Sequence, residues 1–199
     1  MITPKRFTLV SVALAAVGFS SAAYVTWQVR DPGARSRAAW AFEAEGLGEL
    51  VRHADAVVLA RATETIPTRI AMSDLGDDAL PYEATSFVVE RSLYGPAVGE
   101  TLWVERAGGL DPIELVEVVI DADGGAFEAG STYLLFLKQQ TPDGFYYQIN
   151  DQSRYVVHGD RVLSFAGTEE DPVVEGLHGQ RLANVLRIIE SHVKTTSTR

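Results

Sequence analysis

The chain has 199 residues, 46% of them hydrophobic, a formal net charge of −10 and no cysteine. That length leaves room for one ordinary domain with a core of its own. The acidic surplus disfavours nucleic acid as a partner, and the lack of cysteine excludes disulfides, thiolate metal ligands, a cysteine nucleophile and a lipid-modified N-terminal cysteine.

Lys5 and Arg6 stand before a charge-free run from Phe7 to Val29. This order of charged end, apolar middle and small-residue end predicts export, with residues 1–30 as a signal peptide or an N-terminal membrane anchor. Ser21 and Ala23 suit cleavage after Ala23, which would leave a secreted protein. Residues 7–29 also reach spanning length, and Tyr24 and Trp27 stand where interfacial aromatics sit, which suits a retained transmembrane helix. Both outcomes stay open. The flanking positives, Lys5 and Arg6 against Arg30, Arg35 and Arg37, are too balanced to set orientation. An extracytoplasmic location makes ATP and nicotinamide cofactors poor partners.

Residues 31–37, with Asp31-Pro32-Gly33, read as a linker, and the domain is expected over 38–193. A helix is predicted over 38–53, with Ser36 as a cap and Leu47, Leu50, Val51 and Ala54 at helical spacing. Asp55 to Thr65 reads as a strand through Val57, Val58 and Leu59. Residues 66–81, with Pro67, Gly76, Pro81 and the acidic group Asp74, Asp77 and Asp78, read as a long loop. Further strands are predicted at Tyr82–Leu93, Thr101–Arg106, Ile113–Ile120, Tyr133–Leu137 and Phe145–Ile149, the dense Tyr133–Leu137 run being central. Arg154–His158 and Arg161–Phe165 form a hairpin around Gly159-Asp160. Leu182, Val185, Leu186, Ile189 and Val193 mark a closing amphipathic helix, and 194–199 a disordered polar tail. Together these describe a mainly β chain, a small barrel with an N-terminal and a C-terminal flanking helix.

Three segments carry a resemblance: Ala54-Asp55-Ala56-Val57-Val58-Leu59-Ala60-Arg61-Ala62, the strand end Val89-Glu90-Arg91-Ser92-Leu93-Tyr94-Gly95, and Gly130-Ser131-Thr132-Tyr133-Leu134-Leu135-Phe136. In this order they resemble the tissue inhibitors of metalloproteinases and related netrin-like modules, and a group of uncharacterised bacterial exported proteins with the same succession of strands. The resemblance spans residues 47–150 and implies an OB-like β-barrel. The inhibitors' zinc-blocking chemistry does not transfer, because it needs an N-terminal cysteine that this chain lacks.

Candidate chemistry is sparse. Asp121-Ala122-Asp123-Gly124-Gly125 partly resembles a calcium loop, with Asp121 and Asp123 as weak candidate ligands, but it lacks the later acidic ligands, and a solvated turn is the plainer reading. His53, His158, His178 and His192 are scattered singly, and Ser153 and Ser164 lie in no nucleophile elbow. No catalytic residue and no cofactor is nominated. Trp103, Tyr94, Tyr146 and Tyr147 form either a ligand platform or ordinary packing; as a platform, the negative charge favours a glycan over nucleic acid. The expectation is a non-enzymatic binding module at the cell envelope, with a protein or glycan partner. The alternative is an inhibitor or accessory domain of an extracytoplasmic protease.

Overall fold

The computed structural model describes residues 24–26, 35–39, 42–72, 79–110, 117–120, 125–139, 144–165 and 171–196. Its elements in chain order are β1 (Tyr24–Thr26), β2 (Arg35–Ala39), α1 (Leu47–His53), β3 (Ala56–Met72), β4 (Ala79–Tyr94), β5 (Thr101–Ala107), β6 (Gly109–Leu110), β7 (Glu117–Ile120), β8 (Thr132–Gln139), β9 (Tyr146–Gln148), β10 (Arg154–His158), β11 (Arg161–Ser164), α2 (Pro172–Leu177) and α3 (Leu182–Thr196).

The chain is mainly β. Seven strands form one sheet in the order β11-β10-β8-β3-β4-β5-β9, and β8 also pairs with β9. Pairing therefore runs from β8 through β3, β4 and β5 to β9 and returns to β8 as a partial ring. The β5–β9 seam is parallel, and the other pairings of this sheet are antiparallel. A second sheet has the order β1-β2-β7-β6.

Strand alternation creates two cores from the same strands. Ala56, Val58, Ala60 and Ala62 of β3 join Phe87, Val89, Leu102, Val104, Tyr133, Leu135 and Leu137 inside the ring. Val57, Leu134 and Phe136 point the other way, against Leu50 of α1, Val173 and Leu177 of α2, and Val185 and Ile189 of α3. β8 is thus buried on both faces, which is why Tyr133–Leu137 reads as a continuous apolar run. Each such leucine contributes roughly 1.5–3 kcal/mol by leaving water. Beside this core Arg154 is buried. Its guanidinium donates to the carbonyls of Gly125 and Ala126 at 2.6 and 2.9 Å and lies over the rings of Phe127 and Phe165 at 3.9 and 4.3 Å.

Several expectations are corrected. The helix predicted over 38–53 is confined to Leu47–His53, because Gly46 is extended and caps it. Ser36 lies in β2 and caps nothing helical. The loop predicted over 66–81 is mostly strand: β3 continues to Met72 and β4 begins at Ala79, so only 73–78 lies outside the described residues. Helix α2 was not foreseen from periodicity, being only six residues long; Asp171 caps it by accepting from the backbone N–H groups of Val173 and Val174. Helix α3 runs on to Thr196, past the expected boundary at 193. The hairpin around Gly159 and the central place of β8 are as predicted. Of the charge-free run only Tyr24–Thr26 is described, as strand β1 paired with β2; the rest lies outside the described residues. Among the described residues no helix is long and apolar enough to cross a membrane.

Candidate interaction surface

The feature that the sequence hid is an arm. β3 has 17 residues and β4 has 16, yet β8 pairs with β3 only from Ala56 to Arg61, and β5 pairs with β4 only from Tyr82 to Val88. Beyond Ala62, whose backbone still bonds Gly130 and Ser131, β3 has a neighbour on one side alone among the described residues. Register shifts between Ala62 and Thr65 and between Pro67 and Arg69 bend the pair and change which face each residue takes. Pro67 is tolerated because this is an edge strand.

Polar pairs on both faces hold the arm's base together. The hydroxyls of Thr63 and Ser86 lie 2.6 Å apart, and those of Thr65 and Thr85 2.8 Å apart. On the outer face the Glu105 carboxylate accepts from the Thr68 hydroxyl at 2.8 Å and from Arg69 Nη2 at 2.8 Å, and the Arg69 guanidinium lies 4.0 Å above the Tyr82 ring. On the ring's inner face Arg106 donates to Glu83 through Nη2 at 2.6 Å and Nε at 2.9 Å. Gly109 closes over this pair at φ +115, and an added Cβ would stand 2.9 Å from Glu83 Oε2. Further out, Leu80 is buried against Ala71, Tyr82 and Ala107. Ile66, Ile70 and Met72 are exposed at 40%, 47% and 47%, which is unusual for three large apolar groups on one strand.

The four aromatics nominated from sequence are not brought together. Trp103 faces outward opposite Ser86, and Tyr147 shares its face because Tyr147 pairs with Glu105. Tyr146, the neighbour of Tyr147 on a three-residue strand, turns inward and packs on the ring core. Its phenol is pushed up by burial and by the nearby carboxylates of Asp55 and Glu100. Tyr94 stands at the end of β4 opposite Val57, exposed and beyond the reach of β5. A platform therefore reduces to Trp103 and Tyr147, beside the Arg69–Glu105 pair.

Asp121 and Asp123, and Asp74, Asp77 and Asp78, lie outside the described residues. Among the described residues no three His, Asp or Glu side chains are grouped as a metal site would need. Three of the histidines have separate packing roles: His53 lies tilted on Phe42 with ring centroids 4.0 Å apart, His178 Nδ1 accepts from the Ser164 N–H, and His192 lies against Gly48. Sequence reasoning missed Arg69, Glu83, Glu105 and Arg106. The signal available was threonine at alternate positions, Thr63 and Thr65, followed by Ile66, a strand pattern that Pro67 obscured.

No family model matches the chain, and neither a curated protein nor a solved structure does.

Proposed function

We propose that the protein is a non-enzymatic, extracytoplasmic binding module whose ring is an OB-like barrel and whose β3–β4 arm docks a protein partner. The observation that carries this reading is the arm itself, with Ile66, Ile70 and Met72 exposed on a strand that lacks a second neighbour among the described residues. The surplus of acidic over basic residues favours a partner with a basic contact surface. The charge-free run at 7–29 tethers the module to the envelope, or directs its secretion if it is cut after Ala23. A second reading, an inhibitor or accessory domain of an extracytoplasmic protease, draws on the same projecting arm, which is a shape suited to a cleft. A cysteine–zinc mechanism is not part of it.

A photo-crosslinking residue placed at position 66, 70 or 72 in the native cells should give one adduct of common size. The same residue at Val98, an exposed apolar site elsewhere, should give none. Equal labelling from Val98, or none from the arm, overturns the docking surface. An adduct with a protease whose turnover the purified chain slows would select the second reading. Protection of a C-terminal tag from protease added to intact cells would overturn the extracytoplasmic location.

A further inference from the structure

We propose that the seam closing the ring is an internal hydration site, where ordered water links the Gln148 carboxamide to the buried Glu83–Arg106 ion pair. Gln148 is 4% exposed, and among the described residues neither its Nε2 nor its Oε1 meets a protein partner. It lies on β9 opposite Leu137, on the same side as Tyr146 and therefore toward the ring core. The parallel seam pairs Val104 with Tyr146 and Glu105 with Tyr147, so the next step brings Gln148 level with Arg106 on β5. Arg106 is 6% exposed, and its guanidinium is shared between Glu83 and the Ala107 carbonyl.

The ligand's chemistry follows from these groups. A carboxamide needs both donors and an acceptor, so an ion that only accepts, or only donates, leaves it half satisfied. Arg106 and Glu83 neutralise each other, so this pair calls for no net charge in what bridges it to Gln148. A small neutral molecule that donates and accepts is required, and water fits, since buried waters typically make about three hydrogen bonds to otherwise unsatisfied groups. The site also has a structural use. The seam has only two ladder pairs and is parallel, the weaker arrangement per residue, so water bridging β9 to β5 and β4 reinforces the closure.

The test is magnetisation transfer between water and the Gln148 side-chain NH2 in the full-length, nitrogen-labelled chain. The expected result is a cross-peak with the sign of long-lived, bound water, seen also at the Arg106 Nη–H protons and lost at Arg106 in Gln148→Leu. That variant's fold is checked by retention of the β3, β4 and β8 backbone amide shifts. Should Gln148→Leu fail to fold, Gln148→Met, closer in shape, replaces it. No water contact at Gln148, or one with the sign of rapidly exchanging solvent, overturns the proposal. A water peak at Arg106 that survives the substitution overturns it as well.

Discussion

At the scale of single residues, the buried polar groups govern more than the exposed ones. Glu83→Gln leaves the Arg106 guanidinium, only 4% exposed at its side chain, without its counter-charge. Such a loss costs about 3 kcal/mol, measurable as a lower denaturant midpoint, whereas Arg61→Ala, which removes an exposed ion pair with Glu90, costs under about 1 kcal/mol. Asp151 behaves oppositely. Its carboxyl is pushed above the usual carboxylate value by burial first, then by Asp171 and Glu43, and two backbone N–H groups only partly offset this. The folded state therefore holds this proton more tightly than the unfolded state does. Stability falls as pH rises through the window between the two values, and the deficit persists at neutral pH. Asp151→Asn is expected to raise the melting temperature at pH 7, with the gain disappearing below about pH 4. A gain that grew on acidification would contradict this assignment. Histidines and serines could be judged singly from sequence, but the partners of Arg69, Glu83 and Arg106 could not, because their pairs join strands rather than neighbours in the chain.

Among the elements, the arm and helix α2 show where local pattern failed. Pro67, Pro81 and the acidic residues between them carry loop chemistry, yet Met72 opposes Ala79 and Arg69 opposes Tyr82 in a continued ladder. Propensity was overridden by cross-strand hydroxyl pairs and by the cover that β5 gives to β4. Replacing Ile66, Ile70 and Met72 together by serine should change stability by no more than about 0.5 kcal/mol per site, since all three are exposed, and abolish the arm's crosslink. Unfolding of this variant under conditions where the parent folds would show the arm to be packed rather than presented. Helix α2 was invisible because six residues make less than two turns of periodicity, but its burial is tertiary: Leu177→Ala, at 2% exposure, should cost about 3 kcal/mol in thermal or denaturant unfolding.

For the whole molecule, Phe42 and Ala44 are tied to the turn before β10 by a clamp of side chains. Gln152 accepts from the Ala44 N–H at 2.8 Å and donates to its carbonyl at 3.0 Å, while Asn150 Nδ2 reaches the Phe42 carbonyl. A fragment beginning at residue 42 is expected to keep the cooperative unfolding of the 42–196 body. One beginning at residue 47 should melt lower, since Gln152 then loses both of its bonds to Ala44 and keeps only those to Asn150 and Asp171. Equal melting of the two fragments would show that the clamp contributes nothing. The sequence by itself determined the mainly β class, the number and place of most strands, the central role of Tyr133–Leu137 and the closing helix, because alternation, turn glycines and helical spacing are local signals. It also determined the charge-free run at Phe7–Val29, the acidic surplus and the chemistry that a chain without cysteine cannot perform. Only the tertiary structure decided that the strands return to β8 as a partial ring and that β3 and β4 outrun their neighbours as an arm. It also separated the four aromatics, leaving Trp103 and Tyr147 on one face. These are properties of register between strands far apart in the chain. A shift of one residue exchanges the two faces of a strand, and no local pattern states which partner residue a strand will meet.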